Sequence, residues 1–183
     1  MYPLLPTVTN GDVTLREITK KDAADIHTFA SDFEVTKYLS WGPYKKVGQV
    51  KRKLIKFILK RHCDNRPTGY VIIYQNIVVG LIDFHSFNQN NCPYIGYSLH
   101  RNYQNKGIMT KVVAMMLEVG FKYFNFQEIF VSHMVSNVKS QRVIQKNNFR
   151  QVRVIKNGSY NRVTKNFEDV IEYCKKNELV GEK

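Results

Sequence analysis

Residues 94–124 contain the pattern that most limits the fold: a short strand-like run leads closely into a long helical run. The segment YIGYSL (94–99) is mostly apolar and aromatic, and GIMTKVVAMMLEVGFKYF (107–124) repeats apolar residues at helical spacing. The first N–H groups of a helix lack intrahelical partners, so a strand followed at once by a helix start is suited to hold an anion. We therefore expect a mixed α/β fold with a ligand site at residues 100–111.

The rest of the chain supplies further elements of both kinds and no linker that would divide it. Strands are predicted at 13–18, 70–75, 77–84, 94–99, 128–135, 150–156 and 167–176. Helices are predicted after a Thr19–Asp22 capping box, as a short turn at 34–39, and at 47–62, 107–124 and 137–147. The last two strands are predicted to turn at NGSYN (157–161). This order predicts one domain over residues 1–183, with about seven strands and about four helices.

Composition narrows the function without naming it. The formal net charge of +13 favours phosphate-bearing partners, although a lysine-rich solvated surface explains it equally well. No apolar run is long enough for a membrane span, and the N-terminus lacks the pattern of a secretory signal. The three cysteines are far apart, which predicts no disulfide framework, no metal site and a cytoplasmic location.

The helix predicted at 47–62 carries a basic face opposite an apolar stripe. The stripe is predicted to contain Val47, Val50, Leu54, Phe57 and Ile58. The opposite face could bind RNA or a ribosome, or it could be solvated.

The loop between strand and helix resembles a known coenzyme-binding loop. It matches the pattern Gln/Arg-x-x-Gly-x-Gly/Ala through Gln104 and Gly107, with Met109 in the last position. A second segment, residues 137–149, is similar to the sequence Asn-x-x-Ser/Ala…Lys-x-Gly-Phe through Asn137 and Ser140. Both patterns, in this order, are typical of the GCN5-related N-acetyltransferases (GNAT).

Further stretches resemble the branch of that family that acetylates the N-termini of ribosomal proteins. They are LREITKKDAADI, VTKYLSW, the Gly-Tyr pair of the fourth predicted strand and Ile-Met-Thr in the loop. The resemblance implies the GNAT fold, a mostly antiparallel twisted sheet that splays between its fourth and fifth strands.

The resemblance also implies acetyl-CoA as the acetyl donor. Its pyrophosphate would bind the loop amides and its pantetheine arm the edge of the fourth strand. The implied residues are Tyr97, Ser98, Leu99, Gln104, Asn105, Lys106, Gly107, Ile108, Met109, Thr110, Asn137 and Ser140. An amide N–H near Leu99 would bind the oxyanion of the tetrahedral intermediate.

The catalytic groups depart from the family pattern. A frequent tyrosine acid is replaced by Ile144, so the resemblance to the ribosomal branch makes Ser140 the candidate acid. A frequent glutamate is replaced by Tyr94, and a second by apolar Val154 and Ile155. The resemblance therefore supplies no base.

Several residues of this chain could act as the base instead. Candidates are His85, with Asp83, Glu34 and His133 as alternatives, or ordered water.

The acceptor is expected to be a primary amine that attacks the thioester directly in a ternary complex. A protein N-terminus is the leading acceptor, and a small amine or aminoglycoside-type drug is the alternative. Trp41, Tyr44 and Tyr160 are predicted to line the acceptor side, with a core role for Trp41 as an equal alternative. A competing hypothesis is a non-catalytic ribosome- or RNA-binding module on the same fold. Monomer and homodimer are both open.

Overall fold

Eight strands form one sheet in the computed structural model, which describes residues 5–178. The strands are β1 (Val8–Asn10), β2 (Val13–Glu17), β3 (Gly69–Tyr74), β4 (Ile77–His85), β5 (Tyr94–Leu99), β6 (Glu128–Met134), β7 (Arg150–Asn161) and β8 (Asn166–Lys176). Their spatial order is β1-β2-β3-β4-β5-β6-β8-β7, and the pairs are antiparallel except β5–β6. The mostly antiparallel mixed sheet is confirmed.

Strand β1 was not predicted. It has three residues, none of them buried, and so it lacks the apolar periodicity on which strand prediction depends. It pairs with β2 at the edge of the sheet. Because of β1, the fourth predicted strand is β5 in the structure, and the predicted splay lies between β5 and β6.

Helices cover both faces of the sheet. They are α1 (Ala23–Ala30), α2 (Phe33–Thr36), α3 (Val47–Gln49), α4 (Lys56–Leu59), α5 (Ile108–Glu118) and α6 (Val138–Lys146). Short 3₁₀ turns occupy Lys20–Asp22, Lys60–Asp64 and Arg101–Tyr103, and π-helical turns occupy Val50–Ile55 and Val119–Tyr123. The apolar core around α5 lies on one face, and a second core under α1 and α4 lies on the other.

The helical stretch 47–64 corrects part of the predicted apolar stripe. Phe57 is 64% exposed and Val47 is 41% exposed, whereas Ile55, outside the predicted stripe, is fully buried. The middle of the stretch is π-helical, with less rotation per residue than an α-helix. Those wide turns carry Phe57 round to the basic face, so its assignment to the core is wrong.

The C-terminal hairpin turns later than predicted. Strand β7 continues through NGSYN (157–161), where a register shift against β8 accommodates the sequence as a bulge, and the turn lies at 162–165. The side-chain oxygen of Asn161 accepts a hydrogen bond from the amide of Val163 at 2.8 Å. This Asx-type contact starts the turn. The prediction placed the turn instead at the Asn-Gly pair that begins NGSYN, and that position is wrong.

Two predicted helix starts are confirmed. Thr19 and Asp22 form a reciprocal capping box, and Asn137 caps α6 through its side chain. Within residues 5–178, no helix combines the length and apolar composition needed to cross a bilayer. In the same part of the chain, no cluster of three His, Cys, Asp or Glu side chains could hold a metal ion.

Candidate active site

A cleft of about 1230 Å³ opens where the sheet splays. Strands β5 and β6 pair only at Tyr94 and Phe130 and then diverge. The cleft extends from the start of α5, along β5 and the start of α6, to α2 and the β7–β8 hairpin. Every predicted cofactor-binding residue except Lys106 lines it.

The start of α5 faces this cleft with its backbone donors uncapped. Gly107 is the N-cap residue with φ 77° and ψ −7°, and no side chain caps the helix. A Cβ at Gly107 would meet no atom within 4 Å, so the backbone is open on that side. The side chains of Ile108 and Met109 are buried in the core. Backbone N–H groups at a positive helix end fit the pyrophosphate of coenzyme A.

The preceding loop is held in place by its own polar side chains. Gln104 donates to the carbonyl oxygen of Leu99 at 3.0 Å and accepts from Lys139 at 2.9 Å. Arg101 forms an ion pair with Asp32 at 2.5 Å. Lys106 lies over the ring of Tyr103, 5.3 Å from its centroid. These contacts position the loop backbone. The third basic side chain of residues 100–111, Lys111, pairs with Asp12 at 3.1 Å, so all three are engaged by neighbouring residues.

The edge of β5 and the start of α6 form the middle of the cleft. Ser98 is 6% exposed, and its hydroxyl has no hydrogen-bond partner in the structure. A buried hydroxyl without a partner is costly and marks a position where a ligand can supply the missing bond. Asn137 caps α6 with its Oδ1, which accepts from the Ser140 amide at 3.3 Å. Its Nδ2 can donate to another group.

Two hydroxyl groups meet on this wall of the cleft. The Ser140 hydroxyl lies 2.8 Å from the Tyr97 hydroxyl. Burial raises the pKa of Tyr97 to about 12, and the hydrogen bond to Ser140 opposes that shift. Tyr97 was expected to contribute only strand edge, because its partner lies 43 residues away in sequence. The pair can donate a proton to a leaving group at neutral pH.

The four base candidates have different environments. His85 lines the cleft, and burial lowers the pKa of its imidazole, while Asp83 opposes the shift. Asp83 forms a 2.5 Å ion pair with Arg61. Glu34 lines the cleft but pairs with Lys37 at 2.9 Å. Because burial lowers its pKa, His85 is neutral at neutral pH and able to accept a proton.

The fourth base candidate, His133, also lines the cleft but is committed to bonds within the protein. Its Nδ1 lies 2.7 Å from the Met134 carbonyl oxygen, and its Nε2 lies 3.3 Å from the Tyr173 hydroxyl. Both ring nitrogens of His133 are therefore engaged within the protein, which makes His133 a weaker candidate for the base than His85.

The predicted acceptor-side aromatics separate in the structure. Tyr160 lines the cleft and is 48% exposed. Trp41 and Tyr44 stack on each other with centroids 6.0 Å apart and pack on the core under α1, and neither lines the cleft. Both aromatics were predicted from their position near the expected acceptor side, and the prediction that they line the cleft is wrong. No periodic pattern in their segment distinguishes a core ring from a cleft ring.

An arginine that sequence reasoning missed joins the two walls of the acceptor side. Arg162, at the hairpin turn, lines the cleft and donates to the carbonyl of Gly42 at 2.5 Å and to that of Leu39 at 2.9 Å. It also donates to the carbonyls of Thr36 and Trp41. The segment after α2 is therefore fastened to the β7–β8 hairpin by one guanidinium group.

Comparison with known proteins identifies the family. Residues 12–150 match the acetyltransferase (GNAT) domain family. The chain belongs to the GNAT acetyltransferases. It is therefore an N-acetyltransferase whose co-substrate is acetyl-CoA.

Two similar proteins are uncharacterized N-acetyltransferases. YnaD of Bacillus subtilis (strain 168) is 28% identical over 145 residues, which cover 79% of this chain and 82% of YnaD. The p20 protein of Bacillus licheniformis is 28% identical over 150 residues, which cover 80% of this chain and 84% of p20.

Solved structures share the fold of this GNAT chain at lower identity. One is RimL, ribosomal L7/L12 α-N-protein acetyltransferase, in complex with coenzyme A, with a TM-score of 0.82 and 21% identity over 95% of this chain and 98% of that one. Another is spermidine N-acetyltransferase from Vibrio cholerae in complex with coenzyme A and spermine, with a TM-score of 0.79 and 18% identity over 92% of this chain and 97% of that one.

Proposed function

We propose that this GNAT acetyltransferase transfers the acetyl group to the N-terminal amine of a protein or peptide in a ternary complex. The observation that carries the proposal is a single cleft joining the uncapped start of α5 to an acceptor side at α2 and the β7–β8 hairpin. Donor and amine can therefore approach from opposite ends. RimL, which has the same fold, is named for a protein α-amino acceptor.

The chemistry of the cleft favours one ammonium group over several. Among the cleft-lining residues, Glu34 is the sole carboxylate, and it already pairs with Lys37. The cleft-lining basic residues are Lys37, Arg101, Lys139, Arg142, Lys146 and Arg162. A polyamine would place further cations near these side chains, which like-charge repulsion disfavours. Because a spermidine N-acetyltransferase has the same fold, polyamines are nevertheless the second acceptor class to test.

The residues of the chain have distinct roles in the proposed reaction. The amides of Gly107 through Thr110 bind the pyrophosphate, and an amide near Leu99 stabilises the oxyanion. When bound, acetyl-CoA supplies an activated thioester. His85 takes a proton from the acceptor amine, and the Ser140–Tyr97 pair donates one to the leaving sulfur.

The basic face of the helical stretch 47–64 suggests where a large acceptor complex could dock. Lys51, Arg52, Lys53, Lys56 and Lys60 are all exposed there, around the exposed ring of Phe57. Such a surface suits the phosphates of ribosomal RNA. The guanidinium of Arg61 lies over the Phe57 ring, 5.5 Å from its centroid, and adds a further positive charge beside it. We propose it as a docking surface that brings a ribosomal N-terminus to the cleft.

A release assay for the free thiol of coenzyme A tests the acceptor class. The panel contains peptides with free N-termini, the same peptides with blocked N-termini, spermidine and an aminoglycoside. We expect kcat/KM to be highest for free N-termini and turnover of blocked peptides to be absent. Highest kcat/KM with spermidine or the aminoglycoside would refute the proposed acceptor.

Thermal melting separates the enzyme from a binding module. Acetyl-CoA at saturation should raise the Tm, because a ligand that binds only the folded state stabilises it. A shift caused by RNA, with none caused by acetyl-CoA, would contradict the enzymatic role.

A further inference from the structure

A buried carboxylate lies next to the cleft. Glu172, on β8, is 4% exposed and accepts a hydrogen bond from the Tyr94 hydroxyl at 2.5 Å. Arg153, on β7, donates to both of its oxygens at 3.0 and 3.2 Å. The other buried carboxylate in residues 5–178 is Asp22, which completes a helix cap. Glu172 has no capping role.

Tyr94 brings this carboxylate into contact with the cleft. It is the first residue of β5, at the one point where β5 still pairs with β6, and so it stands at the vertex of the splay. Its ring lines the cleft, stacked between His85 at 6.2 Å and Phe130 at 5.3 Å between centroids. Tyr94 donates its hydroxyl hydrogen to Glu172, and its oxygen also interacts with the guanidinium of Arg153. A hydroxyl oxygen has two lone pairs, so the second can accept a bond from a ligand.

An amine acceptor needs such a group in this cleft. It arrives as an ammonium ion at neutral pH, with three N–H donors and a positive charge. The lining residues carry six Lys and Arg side chains and one carboxylate, Glu34, which is paired with Lys37. Glu172 is a second anion, held one hydrogen bond behind the surface of the cleft.

We infer that the Tyr94 hydroxyl, oriented by Glu172, binds the primary ammonium group of the acceptor beside His85. The inference rests on the proposed transfer to an amine and identifies where that amine is held. Tyr94 contacts the substrate, and Glu172 is a positioning residue that acts through it. No bond is made or broken in this step, and His85 remains the group that takes the proton.

The direction in which removal of Arg153 changes ammonium binding tests the inference. Its side chain is 61% exposed, and its guanidinium partly neutralises Glu172 from the solvent side. Removing the arginine should leave the negative charge of Glu172 uncompensated and strengthen ammonium binding. A purely structural triad predicts the reverse, since loss of either partner would then loosen the same packing.

The experiment measures the KM of acceptor and of acetyl-CoA separately for four variants. Glu172→Gln keeps the shape of the side chain, Tyr94→Phe removes the hydroxyl, and Arg153→Gln removes the counter-charge. The control is Glu128→Gln on β6, which removes a carboxylate paired with Lys176. Circular dichroism and thermal melting establish that each variant is folded. The acceptor is whichever primary amine gives wild-type enzyme its highest kcat/KM.

We expect Glu172→Gln and Tyr94→Phe to raise the acceptor KM about 10-fold, the effect of losing one hydrogen bond to a charged group. The KM for acetyl-CoA should stay unchanged, Arg153→Gln should lower the acceptor KM, and Glu128→Gln should change neither. The inference is overturned if folded Glu172→Gln keeps the wild-type acceptor KM, or if Arg153→Gln shifts it in the same direction as Glu172→Gln. Preference for a small amine would refute the protein acceptor alone, since the variants are compared on whichever amine reacts.

Discussion

Replacing Gly107 by Asp and by Asn isolates the negative charge from every other effect at the start of α5. Gly107 has φ 77°, a left-handed conformation that Asn and Asp tolerate better than other side chains. A Cβ there meets nothing within 4 Å, so the first carbon of either side chain has open space. The two side chains have nearly the same size and differ by one charge.

The expected effect on binding follows from Coulomb's law. If loop amides donate directly to the pyrophosphate, a carboxylate at position 107 lies about 6 Å from a phosphate charge. At an effective dielectric constant of about 20, two like charges at that distance repel by about 3 kcal/mol. That repulsion corresponds to about a 100-fold weaker Kd.

The expected effect on stability has the opposite sign. A negative charge at a helix N-terminus interacts favourably with the helix dipole, by about 0.3–1 kcal/mol. Gly107→Asp should therefore be slightly more stable to urea than Gly107→Asn while binding far less tightly. A folding defect in Gly107→Asp would instead lower its stability to urea and its affinity for coenzyme A together.

Calorimetric titration of both variants with coenzyme A measures the difference, at low and at high salt. The gap between the variants should narrow as salt rises, because ions screen exposed charges. Equal affinity of Gly107→Asp and Gly107→Asn for coenzyme A would show that the pyrophosphate does not bind at this helix start.

Three further outcomes follow from the same site. Tyr97→Phe and Ser140→Ala should each lower kcat by up to about 100-fold. The loss should be the same at pH 7 and pH 9, because a pKa of about 12 keeps the Tyr97 hydroxyl protonated at both. Wild-type kcat in both variants would exclude the pair as the acid. Arg162→Ala should lower the free energy of unfolding by about 2–3 kcal/mol and raise the acceptor KM without changing that for acetyl-CoA, and an unchanged acceptor KM would contradict a role in shaping the acceptor side. Burial lowers the pKa of His85, so the unfolded chain binds the extra proton and the free energy of unfolding falls as the pH drops below about 6.5. Urea unfolding at pH 5.5 and 7.5 should show a smaller fall in that free energy for His85→Gln than for the wild type. An identical fall in both proteins would refute the lowered pKa of His85.

Much of the fold could be predicted because its signals are local. The hairpin of β3 and β4 turns at Gln75 and Asn76, which both have positive φ, and runs of β-branched apolar residues flank it. The cofactor loop likewise depends on a strand, a turn and a helix start that are consecutive in the chain. Strand β1 was missed because its three residues carry no apolar periodicity and none of them is buried. The exposure of Phe57 depends on π-helical turns, which apolar spacing does not reveal.

By itself, the sequence determined the order of the strands and helices after β1 and the position of the turn that we propose binds phosphate, because both follow from periodicity and from neighbouring residues. The tertiary structure alone decided which polar groups meet in the cleft. Tyr97 reaches Ser140 across 43 residues, and Tyr94 reaches Glu172 across 78. These meetings depend on the register of the strands and on the splay between β5 and β6, and a slip of one residue would turn each side chain to the other face of the sheet.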